Sequence, residues 1–160
     1  MKKSLLSFAF VLAFATVASA APRFGVIGEQ GAGIGAFITD DMYNAQVTFS
    51  SFSNDQTPKT ENTFIKLGGN YKIALDSMTA LTAGVSYTMV SGKTSGTEID
   101  TNNTLAIVAG FERALSSNIV LTADIDLYSQ NTQKNKGAGE TETKTTNLFN
   151  TTSFGIAYLF

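Results

Sequence analysis

The 160-residue chain contains no cysteine, no histidine and no tryptophan. Without cysteine there are no disulfide staples, thiolate metal sites, thiol nucleophiles or N-terminal lipidated cysteine. Without histidine the commonest general base and the usual metal ligand are gone. Charge is sparse at 15%, and the formal net charge of -2 offers no basic surface for nucleic acid. Only two prolines occur, while Thr, Ser, Asn and Gly abound, a composition that favours strands and turns over helices. Beyond Ala21 no apolar run approaches the length of a transmembrane helix.

The one long apolar run lies at the start. Lys2 and Lys3 precede an apolar stretch from Leu5 to Val17, followed by Ala18-Ser19-Ala20. A positive start, a short apolar segment and an A-x-A site are the three parts of a secretory signal peptide. Residues 1–20 are therefore expected to be removed, leaving a single domain from Ala21 to Phe160. Loss of Lys2 and Lys3 makes the formal charge two units more negative.

The mature chain alternates with a period of two. Ile65, Leu67, Tyr71, Ile73 and Leu75 interleave with Lys66, Gly68, Asn70 and Lys72. Leu81, Ala83, Val85, Tyr87 and Met89 interleave with Thr82, Gly84, Ser86 and Thr88. Leu105, Ile107, Ala109 and Phe111 oppose Thr104, Ala106, Val108, Gly110 and Glu112. Ile119, Leu121, Ala123, Ile125 and Leu127 oppose Val120, Thr122, Asp124, Asp126 and Tyr128, and Phe154, Ile156, Tyr158 and Phe160 oppose Ser153, Gly155, Ala157 and Leu159.

Eight such segments are expected, near 22–29, 32–39, 42–52, 62–75, 79–91, 103–114, 118–130 and 145–160. Tight turns at Asp40-Asp41, Asp76-Ser77-Met78 and Leu115-Ser116-Ser117 alternate with polar stretches at 53–61, 92–102 and 131–144. Short turns at one end and long polar loops at the other mark an eight-stranded antiparallel up-and-down transmembrane β-barrel. Its apolar row would face lipid and its polar row a narrow lumen. Tyr43, Tyr71, Phe111 and Tyr158 would form the periplasmic girdle, with Phe49 and Tyr87 in the outer one.

The last strand carries a motif. Ser153, Gly155, Tyr158 and Phe160 resemble the C-terminal signature of outer-membrane proteins: a polar residue, a glycine two later, then aromatic residues third-last and last. The mature chain resembles small eight-stranded outer-membrane barrels of the OmpA/OmpX or opacity type. That resemblance implies outer-membrane lipid and lipopolysaccharide as surroundings, recognition of the last strand by the barrel-assembly machinery, and a function carried by surface loops. Host or surface ligands are open, and no cofactor is expected.

By parity Arg23, Lys66, Lys72, Glu112, Asp124 and Asp126 face the lumen. An interior network joining them is one reading; hydrated charges without fixed partners is the other. Asp124 and Asp126, two residues apart, could also serve acid–base work or a divalent cation. Ser86 or Ser153 as a nucleophile would need a lysine, because histidine is absent. Gly31-Ala32-Gly33-Ile34-Gly35-Ala36 matches a dinucleotide-loop pattern, but a turn follows where that loop needs a helix. A tight glycine-rich hairpin is the plainer reading.

The expected function is thus a structural or surface-interacting, adhesion-like outer-membrane barrel, without catalysis and with at most a very narrow pore. The alternatives are a secreted soluble barrel holding a small apolar ligand, and a barrel enzyme acting on outer-membrane lipid.

Overall fold

The computed structural model describes residues 21–54, 57, 59–94, 97–135 and 141–160. The signal peptide expected at residues 1–20 lies outside that set. Among the described residues nine strands follow one another: β1 (Arg23–Glu29), β2 (Gly33–Thr39), β3 (Tyr43–Asn54), β4 (Thr60–Ala74), β5 (Thr79–Thr94), β6 (Thr97–Ala114), β7 (Ile119–Asn135), β8 (Thr141–Leu148) and β9 (Thr152–Leu159). Every neighbour pair is antiparallel, and β9 pairs with both β7 and β1, so the sheet closes on itself. The strands β8 and β9 lie end to end along β7, on Tyr128–Asn135 and Ile119–Ile125 respectively, and together make the eighth stave. Closure leaves no free backbone edge in the lower barrel, which a lipid environment requires.

The faces follow the alternation. Val85, Ile107 and Ile156 turn outward with 49%, 53% and 60% of their surface exposed. Their chain neighbours Ser86, Ala106 and Ala157 are buried inside. Leucine, isoleucine and phenylalanine on the outside and serine, threonine, asparagine and charge on the inside is the polarity of a barrel whose solvent is hydrocarbon. The lumen also contains an apolar wedge: Ile27, Phe37, Val120, Ala157 and Leu159 pack together in its lower half. Parity places these side chains inward, but their grouping depends on β1, β2, β7 and β9 being neighbours.

The three lower turns share one device. Asp40 Oδ1 accepts from the N–H groups of Met42 and Tyr43 at 2.6 and 2.7 Å. Asp76 Oδ1 accepts from Met78 and Thr79, both at 2.7 Å. Ser116 Oγ accepts from Asn118 and Ile119 at 3.3 and 3.1 Å. A short oxygen-bearing side chain thus takes the place of a backbone partner for the turn's amides. The Met78 amide above all holds the exposed Asp76 carboxyl below the ordinary aspartate range. A depressed folded value means the turn's contribution is fully present above about pH 4 and fades as pH falls through the folded value. Asp76→Asn keeps the acceptor but not the titration. The urea midpoint of the variant should therefore drop less than that of the parent between pH 7 and pH 3.

The upper connection between β1 and β2 is the glycine-rich segment Gln30-Gly31-Ala32. Gly31 and Gly33 take φ of 77° and 92°, values that side-chain-bearing residues rarely adopt. The phosphate-loop look-alike is therefore a three-residue hairpin loop. It leaves β1 and β2 at seven residues each, against 12 to 18 for β3 to β7. Above Gln30–Ala32 the wall has a notch. There Ser51–Asn54 of β3 pairs with β4, and β8 pairs with β7, each on one side only among the described residues.

Two features differ from the alternation pattern. Tyr128, expected inward, is 39% exposed and turned out. The β6–β7 register shifts so that Val108 faces Asp126 but Ile107 faces Tyr128. The extra residue, Leu127, is a β-bulge, and a bulge reverses the parity of everything beyond it. The eighth segment, expected continuous from 145 to 160, breaks between β8 and β9, where Phe149 takes a φ of 50°. The break sits beside the bulge, with the Phe149 amide donating to the Leu127 carbonyl at 3.4 Å. In addition, β5 and β6 run on to Thr94 and from Thr97, through most of the expected 92–102 loop.

Gly110 marks a close approach of strands. A Cβ there would run into the Ala123 carbonyl and the Asp124 carboxylate. Gly110→Val should cost about 3 kcal/mol, the upper range for overpacking, read as a lower urea midpoint in detergent-folded protein. A midpoint within error of the parent would mean that the strands can separate freely here.

Candidate functional site

The lumen holds two ion-paired clusters, one above the other. The lower is centred on Glu112 of β6, whose carboxylate is buried. Lys72 Nζ of β4 donates to it at 2.6 Å, Asn44 Nδ2 of β3 at 2.7 Å and Thr39 Oγ1 of β2 at 3.3 Å. Lys72 also donates to Thr39 Oγ1 at 2.9 Å and to the Asp40 carbonyl at 2.6 Å. Alternation aims these residues inward, and the pairing of Thr39 with Asn44, Asn44 with Asn70 and Lys72 with Thr82 sets them near one level.

The upper cluster joins Lys66 of β4 to Glu29, the last residue of β1. Gln46 Nε2 donates to the same carboxylate at 2.7 Å, and Lys66 reaches Ser153 Oγ at 3.3 Å. The side chains of Lys66 and Glu29 are only 12% and 2% exposed. Both clusters bridge strands that are not neighbours, so each ties the wall across the tube.

Of the six charges read from parity, Lys72 and Glu112 come together directly, and Lys66 is ion-paired with Glu29 instead. Asp124 lies one level from them and accepts from Thr82 Oγ1 at 3.3 Å. Asp126 lies at the bulge, where its amide donates to the Thr151 carbonyl at 2.9 Å. Arg23 sits at the lower mouth, donates to the Ser117 carbonyl and makes no ion pair among the described residues. Sequence reasoning missed the uncharged partners Thr39, Asn44 and Gln46 and one charged residue, Glu29. Its signal was present: Arg23, Gly25, Ile27 and Glu29 share a parity. Among the described residues no three acidic side chains gather as a metal site would require.

Two cavities flank the clusters. The lower, about 360 Å³, is bounded by Arg23, Asp40, Asp76, Lys72 and Glu112. The upper, about 320 Å³, is bounded by Glu29, Lys66, Ser86, Asn102, Asp126 and Ser129, among others. No lining residue is common to both, and the ion pairs Lys72–Glu112 and Lys66–Glu29 cross the tube beside them.

At the carboxyl end, β9 closes the barrel. Ser153 reaches Lys66, and Gly155 leaves no room for a Cβ against Thr122 and Ile27. Tyr158 and Phe160 point outward, with ring centroids 6.0 Å apart and edge-on. Across β3 and β4, Tyr43 and Tyr71 make a similar contact at 5.5 Å, so aromatic pairs mark the lower rim on two sides.

Among solved structures, the crystal structure of Neisserial surface protein A (NspA) aligns with a TM-score of 0.50 at 16% identity, over 87% of this chain and 96% of that one. The chain has the fold of the small eight-stranded outer-membrane barrels. Two further barrels align more loosely. Ail, the attachment invasion locus protein of Yersinia pestis, gives a TM-score of 0.44 at 12% identity, over 87% of this chain and 96% of that one. A major outer membrane protein from Thermus thermophilus gives 0.42 at 16% identity, over 88% of this chain and all of that one. No protein-family model matches the sequence, and no curated protein matches it either. At such identities the likeness concerns the backbone, and the two lumen clusters stand on this chain's own residues.

Proposed function

We propose that the mature chain is an integral barrel of a bacterial outer membrane with a structural or surface-interacting, adhesion-like role and no catalysis. The carrying observation is the inverted polarity. Apolar side chains form the exposed belt, while Lys66, Lys72, Glu29 and Glu112 are sealed in ion pairs inside. A soluble barrel holding an apolar ligand would need the opposite arrangement, because its hydrophobic side chains would have to line the cavity. NspA, which shares the fold, is by name a surface protein.

The hairpins β3–β4, β5–β6 and β7–β8 rise at the end away from the three tight turns, and by the rule for such barrels that end faces outward. Their tips carry lysines and glutamates, such as the exposed Lys134–Glu142 pair at 3.3 Å. Contact with lipopolysaccharide or a host surface would occur there. Ser153, Gly155, Tyr158 and Phe160 on β9 would present the assembly signal to the barrel-assembly machinery. The ion pairs that cross the lumen, Lys72–Glu112 and Lys66–Glu29, favour a closed tube over a pore.

Membrane fractionation tests the reading. The protein should sediment with the outer membrane, migrate differently in gels before and after boiling, and lose its hairpin tips to trypsin added to intact cells. Recovery in the soluble periplasmic fraction would overturn it.

A further inference from the structure

The eight-residue strand β8 has one occupied edge. It pairs with β7 along Tyr128–Asn135, and among the described residues no strand pairs with its other edge, which overlooks the notch. All its residues except Asn147 are exposed. Such an edge is a template for a further strand, and the side chains along it decide which strand is accepted.

The charges on β8 are few and ordered. Glu142 and Lys144 lie two residues apart and so share a face; Glu142 is ion-paired at 3.3 Å to Lys144 and at 3.3 Å to Lys134 of β7. An antiparallel strand added to this edge complements them only if it carries an acidic residue two places before a basic one. The acid then opposes Lys144 and the base opposes Glu142. In the whole sequence that order occurs once, at Glu142-Thr143-Lys144 itself. The edge is therefore complementary to the same edge of a second copy. With the pairing centred on Thr143, Glu142 opposes the partner's Lys144 and Thr141 opposes the partner's Thr145. Opposite charges and threonine pairs are both favourable across strands. Centring on Glu142 or on Lys144 would set like charges face to face, so the register is specified.

The symmetry has a consequence. An edge pairs antiparallel with its own copy about a two-fold axis normal to the barrel wall, and that axis reverses the barrel's direction. The copy's lipid belt then lies in an opposed membrane, and the raised hairpins of the two barrels stand side by side between the membranes.

We propose that β8 pairs antiparallel with β8 of a second copy, centred on Thr143, and so joins barrels held in two opposed membranes. The opposed-membrane consequence rests on the outer-membrane reading above; the strand pairing does not. One such contact is small, and many copies on a surface add their contacts.

The absence of cysteine makes cross-linking a clean test on the whole mature barrel folded in detergent. Across this pairing the two Thr143 Cα atoms stand about 5 Å apart, within reach of a disulfide, while the two Thr145 are offset along the strands by about 13 Å. Under mild oxidation Thr143→Cys should form a disulfide-linked dimer about tenfold faster than Thr145→Cys. Thr141→Cys should cross-link to Thr145→Cys when the two are mixed. In the Thr143→Cys background, Glu142→Lys sets positive charge against positive charge and should slow cross-linking about tenfold. Adding Lys144→Glu restores the opposition of charges and should restore the rate. Heat-modifiable gel migration confirms that each variant is folded. Equal rates at positions 143 and 145, or a rate indifferent to Glu142→Lys, overturns the pairing. Because cross-linking reads purified protein, that failure would leave the outer-membrane reading untouched. Lipid vesicles carrying the parent barrel with its hairpins outward should cluster, read as turbidity, and vesicles carrying Glu142→Lys should stay dispersed. Dispersed parent vesicles despite fast Thr143→Cys cross-linking would overturn the opposed-membrane arrangement and leave the pairing standing.

Discussion

Lys72→Met should lower unfolding stability by about 3–5 kcal/mol, the cost of breaking a buried ion pair from one side. The methionine fills much the same volume, so packing changes little. What changes is Glu112, which keeps Asn44 and Thr39 but loses its counter-charge at 2.6 Å. Its side chain is 8% exposed, so bulk water cannot replace the lysine. The pair as a whole contributes far less than this loss suggests, because bringing both charges out of water offsets most of their attraction. Lys72→Met combined with Glu112→Leu should therefore recover most of the stability. Urea midpoints of the parent, both single variants and the double variant, in one detergent, give the coupling energy. Additive losses would show that the two residues act independently.

Ile107→Arg should cost about 2–4 kcal/mol in a bilayer, the range for a cation on the lipid face near the midplane. Ile107 is 53% exposed and pairs with Val85, another outward residue, so neither position has a lumen contact to lose. In water such a substitution at an exposed strand site is nearly neutral. The size of the effect thus measures the solvent of the outer face. The same arginine at Leu105, two residues nearer the hairpin tip and 53% exposed, should cost less, since the penalty falls toward the interface. Equal small losses at both positions would argue for aqueous surroundings.

Much of this fold could be read from the chain because the side-chain period of a strand is two. Parity alone assigns Ser86 and Val85, Ala106 and Ile107, Ala157 and Ile156 to opposite faces, and they lie there. Parity fails at the first irregularity, which is why it assigns Tyr128, beyond the Leu127 bulge, to the wrong face. A bulge carries no composition signal of its own. Alternation underestimates the length of β5 and β6 because a Thr- and Asn-rich ladder pairs through its backbone without an apolar face to announce it.

The site was legible only in part, for a related reason. Alternation shows which charges face inward but not which meet, since that depends on strand tilt and on contacts across the ring. Lys72 and Glu112 meet two strands apart along the sheet. Sequence position sets Lys66 near Asp124 and Asp126 in height, yet its ion-pair partner Glu29 stands at the end of the shortened β1, just before the hairpin loop. The glycines that shorten β1 and β2 do form the hairpin their spacing suggests. The notch they create follows only when the lengths of β3 and β8 are known.

Spin labels placed one at a time at Val85, Ser86, Ala106 and Ile107 of the barrel in lipid vesicles test the polarity of the wall most directly. Their collision rates with oxygen, which concentrates in hydrocarbon, and with a water-soluble nickel chelate are compared. Labels at Val85 and Ile107 should collide freely with oxygen and hardly with nickel, while those at Ser86 and Ala106 should be shielded from oxygen. Free access of nickel to Val85 and Ile107 would contradict the account, since those side chains would then be facing water.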